Sequence, residues 1–279
     1  MSAKWLEDHD EKKGWIVKAV ERLKEVLPYG GHKEKETWSM YLPHAIHLAT
    51  LETTVDDAAR ASFFERIGYC RSTLGQYWEA GAMHRQALVL RERSMGNKNI
   101  LTLSKNNFAV ALGNQGKYAE AESMHRQTLA TSEKVLGVDH PDTLTTMNNL
   151  AGVLGRQGKY AEAESMHRQT LATSEKVLGV DHPDTLTSIY CLAYLLAKQH
   201  HYAESVDLYK RAYTRYSSIL GEDHPTTRAC LQHYSALLAS REQSLRTEQA
   251  ICAESGASGK TSKLSRAQGK LGIRNSKFF

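Results

Sequence analysis

Apolar residues recur at intervals of three and four along most of the chain, most clearly between residues 142 and 156. The apolar positions there are Leu144, Met147, Leu150, Ala151 and Leu154. Such spacing lines one face of an α-helix. The next stretch, residues 160–177, shows the same period through Tyr160, Ala163, His167 and Leu171. No alternating Val, Ile or Thr run continues for five residues, so the pattern predicts helices and no strands.

The residues between these stretches are typical of helix ends. Asp139-His140-Pro141-Asp142 precedes the first stretch, where proline suits the first helical turn and acids favour the positive end of the helix dipole. Gly158 follows the first stretch and Gly179 follows the second, and glycine commonly ends a helix in the left-handed conformation. His140 is expected to cap the helix that follows it. The sequence therefore predicts a helical hairpin between residues 139 and 179.

The hairpin belongs to a repeat of 42 residues. The stretch 116–145 reads GKYAEAESMHRQTLATSEKVLGVDHPDTLT, and 158–187 repeats it letter for letter. Weaker copies lie on both sides. Helical hairpins in tandem stack into a solenoid because a single hairpin cannot bury its apolar face. We predict an all-α solenoid over residues 53–240, with units at about 53–94, 95–135, 136–177 and 178–219 and a half unit at 220–240.

Small residues recur where stacked helices would cross closely. Ala109 and Ala151 lie in the middle of predicted first helices. The positions expected one turn into the second helices are Ala80, Ala121, Ala163 and Ala203. Helix axes in contact are only about 8–10 Å apart, so we expect these alanines at the contacts.

The motifs of the repeat resemble those of a known family. Asn148-Asn149-Leu150-Ala151, Gln157-Gly158-Lys159-Tyr160-Ala161-Glu162-Ala163 and Leu178-Gly179-Val180-Asp181-His182-Pro183 resemble the 42-residue tetratricopeptide unit of kinesin light chains. The resemblance implies a right-handed α-solenoid that acts as a non-catalytic protein-interaction scaffold. It also implies that a peptide or protein segment binds in the concave groove lined by the first helices.

The first 52 residues differ from the repeat. The stretch from Gly14 to Leu27 is an amphipathic helix that ends before Pro28, and a second helix is predicted around Trp38. This arrangement resembles the connector between the ATPase core and the repeats of fungal NOD-like signalling ATPases of the NB-ARC or NACHT type. The resemblance implies that the chain is the sensor part of such a receptor and that the ATPase is its partner in cis or in trans.

The charge is concentrated at one end of the chain. The net charge is +5, yet residues 1–240 hold 28 basic and 28 acidic residues, whereas 241–279 hold 8 and 3. This Ser-, Gly- and Lys-rich tail is expected to be disordered. Nucleic-acid binding through the tail is therefore the alternative function from another class, and we regard it as the less favoured one. A kinesin-light-chain-type cargo adaptor is the other alternative.

Composition excludes several classes of protein. No apolar run of about 18 residues is present, so no membrane partner is expected. The acidic N-terminus and four widely spaced cysteines indicate a cytoplasmic protein with reduced thiols. The repeat histidines, such as His84 and His182, recur once per unit and do not converge, which favours structural roles over a metal site. No nucleophile–base set is recognisable and Glu254–Thr261 lacks the first glycine of a phosphate-binding loop, so we predict no enzyme and no cofactor.

Family geometry indicates which side chains would line the groove. A carboxamide can both donate to and accept from the backbone of an extended peptide, so asparagines are central to this prediction. For Asn149, a hydrogen bond to the neighbouring helix is an alternative of equal weight to contact with a ligand in the groove. The candidate groove residues are Arg66, Tyr69, Asn106, Asn107, Asn114, Asn148, Asn149, Arg156, Tyr190, Tyr194, Lys198 and His233, with Glu65 and Gln232 beside them.

Overall fold

The computed structural model describes residues 12–27, 35–51, 56–94 and 98–257. These residues form eleven α-helices and no β-strand. The helices are α1 Lys12–Val26, α2 Lys35–Thr50, α3 Asp57–Thr73, α4 Tyr77–Arg93, α5 Lys98–Asn114, α6 Tyr118–Val135, α7 Pro141–Arg156, α8 Tyr160–Val177, α9 Pro183–Lys198, α10 Tyr202–Leu220 and α11 Pro225–Ala257. Helices α3 to α10 make four hairpins, and α11 follows as a single long helix.

The turns have the conformations that the sequence predicts. Gly158 has φ of 81° inside its hairpin, and Gly179 has φ of 92° between two hairpins. Positive φ is costly for residues with a Cβ, which explains glycine at both places. The Nδ1 atom of His140 accepts a hydrogen bond of 3.1 Å from the backbone N–H of Asp142. The expected cap at the start of α7 is therefore confirmed.

The hairpins stack into a solenoid with two layers of helices. The first helices of successive hairpins contact one another: α5 contacts α7, and α7 contacts α9. Second helices are bridged by long side chains, through Arg126 to Glu162 at 2.6 Å and Arg168 to Glu204 at 2.6 Å. Because the first helices lie closer together, the array curves towards them and they line its concave face. The all-α solenoid predicted from the repeat is confirmed.

The small positions mark the close helix contacts, with one correction. Ala163 is fully buried, as are Ala80, Ala121, Ala109 and Ala151. Ala203, however, is exposed. The residue three after Tyr202, which corresponds to Ala163 after Tyr160, is Ser205, and it is fully buried with its Oγ donating to the backbone carbonyl of Ala193 at 2.7 Å. The small residue predicted at the helix contact of this hairpin was Ala203, but the residue that occupies the contact is Ser205, two positions later.

Helices α1 and α2 pack onto the first hairpin. Trp38 and Leu27, both buried, belong to one apolar cluster with Phe63 and Ile67 of α3. The Arg66 guanidinium donates to the carbonyl oxygens at the end of α1, those of Lys24 at 2.9 Å and Leu27 at 2.7 Å. The two N-terminal helices therefore extend the core of the array.

The C-terminal helix extends beyond the predicted array. Helix α11 continues to Ala257, whereas disorder is expected from residue 241. Residues 241–257 are helical, and the rest of the tail, 258–279, lies outside the described residues. In the described part of the chain, no helix combines the length and the apolar character that crossing a membrane requires.

Candidate binding groove

One stripe of accessible positions runs across the concave face. On each first helix the accessible residues that point into the concavity follow steps of four, three and four, and the stripe is best shown by Thr145, Asn149, Gly152 and Arg156 of α7. This spacing follows one side of a helix over three turns. We call the whole set the concave stripe. Its positions are Ser62, Arg66, Tyr69, Thr73, Leu103, Asn107, Val110, Asn114, Thr145, Asn149, Gly152, Arg156, Thr187, Cys191, Tyr194, Lys198, Ala229, His233, Ala236 and Ser240.

The concave stripe carries cations and no acid. Its charged residues are Arg66, Arg156 and Lys198. Lys198 Nζ lies 5.3 Å from the centre of the Tyr194 ring, a cation–π contact. On the second helices, by contrast, acidic residues such as Glu122 and Glu204 form ion pairs. The concave stripe therefore has a net positive charge, although residues 1–240 as a whole are neutral.

Nine of the twelve candidate residues lie on the concave stripe, and three do not. Asn106 and Asn148 are only 6% and 9% exposed. Asn148 Nδ2 donates to Ser188 Oγ at 2.6 Å, and its Oδ1 lies 3.2 Å from His167 Nδ1. This asparagine connects two repeats inside the core and is not available to a ligand. The expectation that both members of each Asn-Asn pair face the groove is corrected, because neighbouring residues on a helix point 100° apart.

Several candidate side chains bond to the next repeat. Tyr69 donates through its hydroxyl to Asn107 Oδ1 at 2.9 Å, and Asn149 Nδ2 donates to Asn106 Oδ1 at 3.3 Å. Arg156 reaches Asn114 Oδ1 at 3.3 Å. The bond of Asn149 to a neighbouring helix is the alternative left open by the sequence. These side chains therefore link successive repeats, and each asparagine amide has further donor or acceptor capacity.

An aromatic group closes the C-terminal end of the stripe. Tyr190, the third residue off the stripe, is half-buried between α9 and α11, and its hydroxyl lies 2.6 Å from His233 Nδ1. The two rings stack with centroids 5.7 Å apart, and Tyr194 lies 5.6 Å from the same histidine. Burial, together with the charge of Lys198, lowers the pKa of His233. This end of the groove presents aromatic faces beside a cation.

Eleven stripe positions were missed by sequence reasoning. Gly152 is the most informative, because a Cβ built on it would meet no atom within 4 Å. The concave surface is therefore open at Gly152. The other ten are Ser62, Thr73, Leu103, Val110, Thr145, Thr187, Cys191, Ala229, Ala236 and Ser240. Extending the step of four, three and four along each first helix would have found them.

The histidines of the Met-His-Arg-Gln motif lie in the core. His84, His125 and His167 are at most 3% exposed. Burial lowers the pKa of each imidazole from about 6.5 to about 4. Among the described residues, no group of three or more His, Cys, Asp and Glu side chains is placed to hold a metal ion.

A sequence comparison relates the repeats to a known family. The family model described as Tetratricopeptide repeat matches residues 99–176 and 144–216. The matched span contains helices α5 to α9 almost entirely and most of α10. None of the curated proteins compared with the chain matches it.

Solved structures share the architecture of the repeat array. A putative kinesin light chain with nearly identical TPR-like repeats from Podosopora anserina is 21% identical, with a TM-score of 0.52 over 72% of this chain and 98% of that chain. BtubC (BKLC) from P. vanneervenii is 16% identical, with a TM-score of 0.56 over 88% of this chain and 95% of that one. A Rap protein complexed with competence and sporulation factor is also 16% identical, with a TM-score of 0.56 over 80% and 68%. At these identities the likeness shows the fold alone.

Proposed function

We propose that the tetratricopeptide array is a non-catalytic scaffold that binds an extended segment of a protein partner along the concave stripe. The observation that carries this proposal is the stripe itself, since successive first helices present the same positions to one continuous surface. Half-exposed amides such as Asn107 and Asn149 can bond to a peptide backbone, which makes such a surface tolerant of sequence. The Rap protein of similar fold was solved in complex with a second molecule, competence and sporulation factor.

The composition of the stripe indicates what kind of segment it accepts. Arg156 and Lys198 provide positive charge on the C-terminal half of the groove, and no stripe position is acidic. The open surface at Gly152 leaves room for a side chain of the bound segment. The segment that fits best is extended and carries carboxylates.

Blocking the groove at Gly152 tests the proposal. In the Gly152→Tyr variant the new side chain projects into open space within the concavity, so the array keeps its packing. The helix interior also loses a glycine, which stabilises it by about 0.5 kcal/mol or less, since tyrosine is a better helix former than glycine but a poorer one than alanine. We expect this variant to lose groove-bound partners in a pull-down while its melting temperature is unchanged or higher.

Gly14→Tyr is the matched control. Gly14 is also helical and also has open space around its Cβ position, but it lies on α1, away from the groove. Recovery of the same partners by the wild type, Gly14→Tyr and Gly152→Tyr would contradict binding along the concave stripe.

We further propose that the chain is the sensor part of a NOD-like receptor whose ATPase is of the NB-ARC or NACHT type. The resemblance of residues 1–52 to the connector of such receptors supports this, as does the packing of α1 and α2 on the first hairpin. A ligand that alters the curvature of the array would then strain the connector directly. The genomic sequence upstream of Met1 provides a test, because a reading frame for such an ATPase is expected there. An unrelated upstream frame, together with no ATPase among the partners recovered by the wild type, would contradict this role.

A further inference from the structure

The outer face of the array carries a network of ion pairs wherever two repeats are near-identical. Between the second and third hairpins, Glu122 Oε2 lies 2.7 Å from Lys159 Nζ, and Glu122 Oε1 accepts from Arg126 Nε at 3.0 Å. Arg126 also reaches Glu162 at 2.6 Å. Two cations and two carboxylates therefore neutralise one another in the groove between α6 and α8, and hydrogen bonding by Lys159 lowers the pKa of Glu122 to about 2.

The first hairpin departs from this network at two positions. By alignment of the repeats, Gly81 stands where the second repeat has Glu122, and Trp78 stands where it has Ala119. The two corresponding cations, Arg85 and Lys117, are retained. Neither cation forms an ion pair within the described residues, although Glu120, the counterpart of Glu162, is also retained. Lys117 Nζ instead lies 5.2 Å from the centre of the exposed Trp78 ring.

A cavity lies in the outer groove between α4 and α6, and Gly81 is part of its lining. Its volume is about 450 Å³, within the range of ligand sites. Phe108 and Leu112 of α5 form an apolar floor, and Trp78 forms a wall that is 64% exposed. The cations Arg85 and Lys117 lie at the rim together with one acid, Glu120. The same groove one repeat later has two acids for its two cations, so this cavity has an excess of one positive charge.

We propose that this cavity, which we call the Trp78 pocket, binds an acidic segment of a protein partner that inserts one apolar side chain. The apolar side chain would lie on Phe108 and Leu112 against the Trp78 ring. Carboxylates beside it would take the place that Glu122 occupies in the next repeat and pair with Arg85 and Lys117. Charge-assisted hydrogen bonds of this kind are stronger than neutral ones. The site is on the outer face and is separate from the concave stripe.

The chain itself offers a variant that closes the pocket. Gly81→Glu restores the residue found in the second repeat, so it should neutralise both cations and fill the cavity. A Cβ at position 81 would lie 2.1 Å from Gln115 Nε2, which is the mobile end of a side chain. Gln157 makes the matching hydrogen bond, 3.0 Å to the carbonyl of Tyr118, in the presence of Glu122. The repeat thus shows that glutamate and glutamine fit together there.

Nuclear magnetic resonance of the full chain with ¹⁵N-labelled tryptophan tests the proposal. The probe is the capped peptide Gly-Glu-Glu-Leu-Glu-Glu-Gly, and the Trp78 indole resonance is assigned by its absence from Trp78→Phe. We expect a saturable shift of this resonance, with binding about tenfold weaker in Gly81→Glu. Arg126→Gln, which removes a cation from the next groove along, should leave the affinity within about twofold.

Three results would overturn the proposal. The first is equal binding by Gly81→Glu and the wild type, and the second is equal binding of the peptide with Gln in place of every Glu. The third is a Trp78 shift caused by an oligouridine and not by the peptide, which would indicate a nucleic-acid site. Because Gly152→Tyr leaves the Trp78 pocket intact, the shift should persist in that variant, and failure of the groove proposal would be distinguishable.

Discussion

Helices α6 and α8 have the same 18-residue sequence, with one histidine in each, and these two histidines have different neighbours. His167 Nδ1 lies 3.2 Å from the Oδ1 atom of buried Asn148. His125 occupies the same place in α6, yet neither of its ring nitrogens has a hydrogen-bond partner. Identical residues at identical repeat positions therefore contribute differently, because the Oδ1 atom of Asn106, the counterpart of Asn148, accepts from Asn149 Nδ2 at 3.3 Å.

Phenylalanine at these two positions should give opposite results. His167→Phe removes the partner of a buried amide oxygen, so we expect the free energy of unfolding to fall by about 1–2 kcal/mol. His125→Phe removes two unsatisfied nitrogen atoms, so its stability should be unchanged or higher. Urea unfolding of both variants measures the difference. Equal destabilisation would show that the hydrogen bond to Asn148 is without consequence.

Strain at a single turn residue leads to a second prediction. His200 has φ of 66°, at the place where the preceding hairpin has Gly158 with φ of 81°. The left-handed conformation costs residues with a Cβ roughly 1–2 kcal/mol. We expect His200→Gly to raise the free energy of unfolding by about 1 kcal/mol. The loss of the exposed hydrogen bond between His200 and Tyr202 offsets a small part of this gain. Thermal unfolding measures this, and Gly158→Ala, which should lower stability, is the converse variant.

At the scale of the element, the hairpins depend on small residues where two helices cross. Ala163 is fully buried, and a Cβ on Gly155 of the partner helix would lie 4.0 Å from its own. A larger side chain at Ala163 would therefore have to displace α7 or adopt a strained rotamer.

Ala163→Leu should consequently destabilise the array by roughly 1–3 kcal/mol through overpacking. Ala203→Leu is the matched control, because Ala203 is exposed near the start of the next second helix. The control should change stability by no more than about 0.5 kcal/mol. A comparison of melting temperatures separates the two, and similar values would contradict the close crossing of α7 and α8.

For the whole molecule, the buried histidines make stability depend on pH. His84, His125 and His167 have pKa values of about 4 in the folded chain, because burial disfavours the charged ring. The ordinary value of about 6.5 applies when the chain is unfolded. Between these values the unfolded state binds more protons, so stability is complete above pH 6.5 and falls as the pH is lowered towards 4.

We expect the free energy of unfolding to fall by up to roughly 3 kcal/mol per histidine over that interval. Urea titrations between pH 7 and pH 4 measure the slope. His125→Phe should remove about one third of the slope and leave the stability at pH 7 unchanged or higher. A slope that is the same in this variant would show that other groups control the acid sensitivity.

The sequence alone determined the helices, their turns and their order. The 42-residue period and the glycines at positions 158 and 179 specify hairpins, because helical periodicity and left-handed turns are local properties. Of the twelve candidate groove residues that it indicated, nine lie on the concave stripe. It could not distinguish Asn148 from Asn149, because the position of the neighbouring helices decides which of two adjacent residues is buried.

The tertiary structure decided which polar groups remain available to a partner. Arg66 is held by the end of α1, and Asn148 joins two repeats within the core. The cavity beside Trp78 lies where Gly81 takes the place of the glutamate that forms an ion pair in the next repeat. Contacts between residues about 36 to 43 positions apart produce these features. A repeat pattern predicts that such contacts form, but only the packed helices show which of them satisfy a side chain and which leave it free.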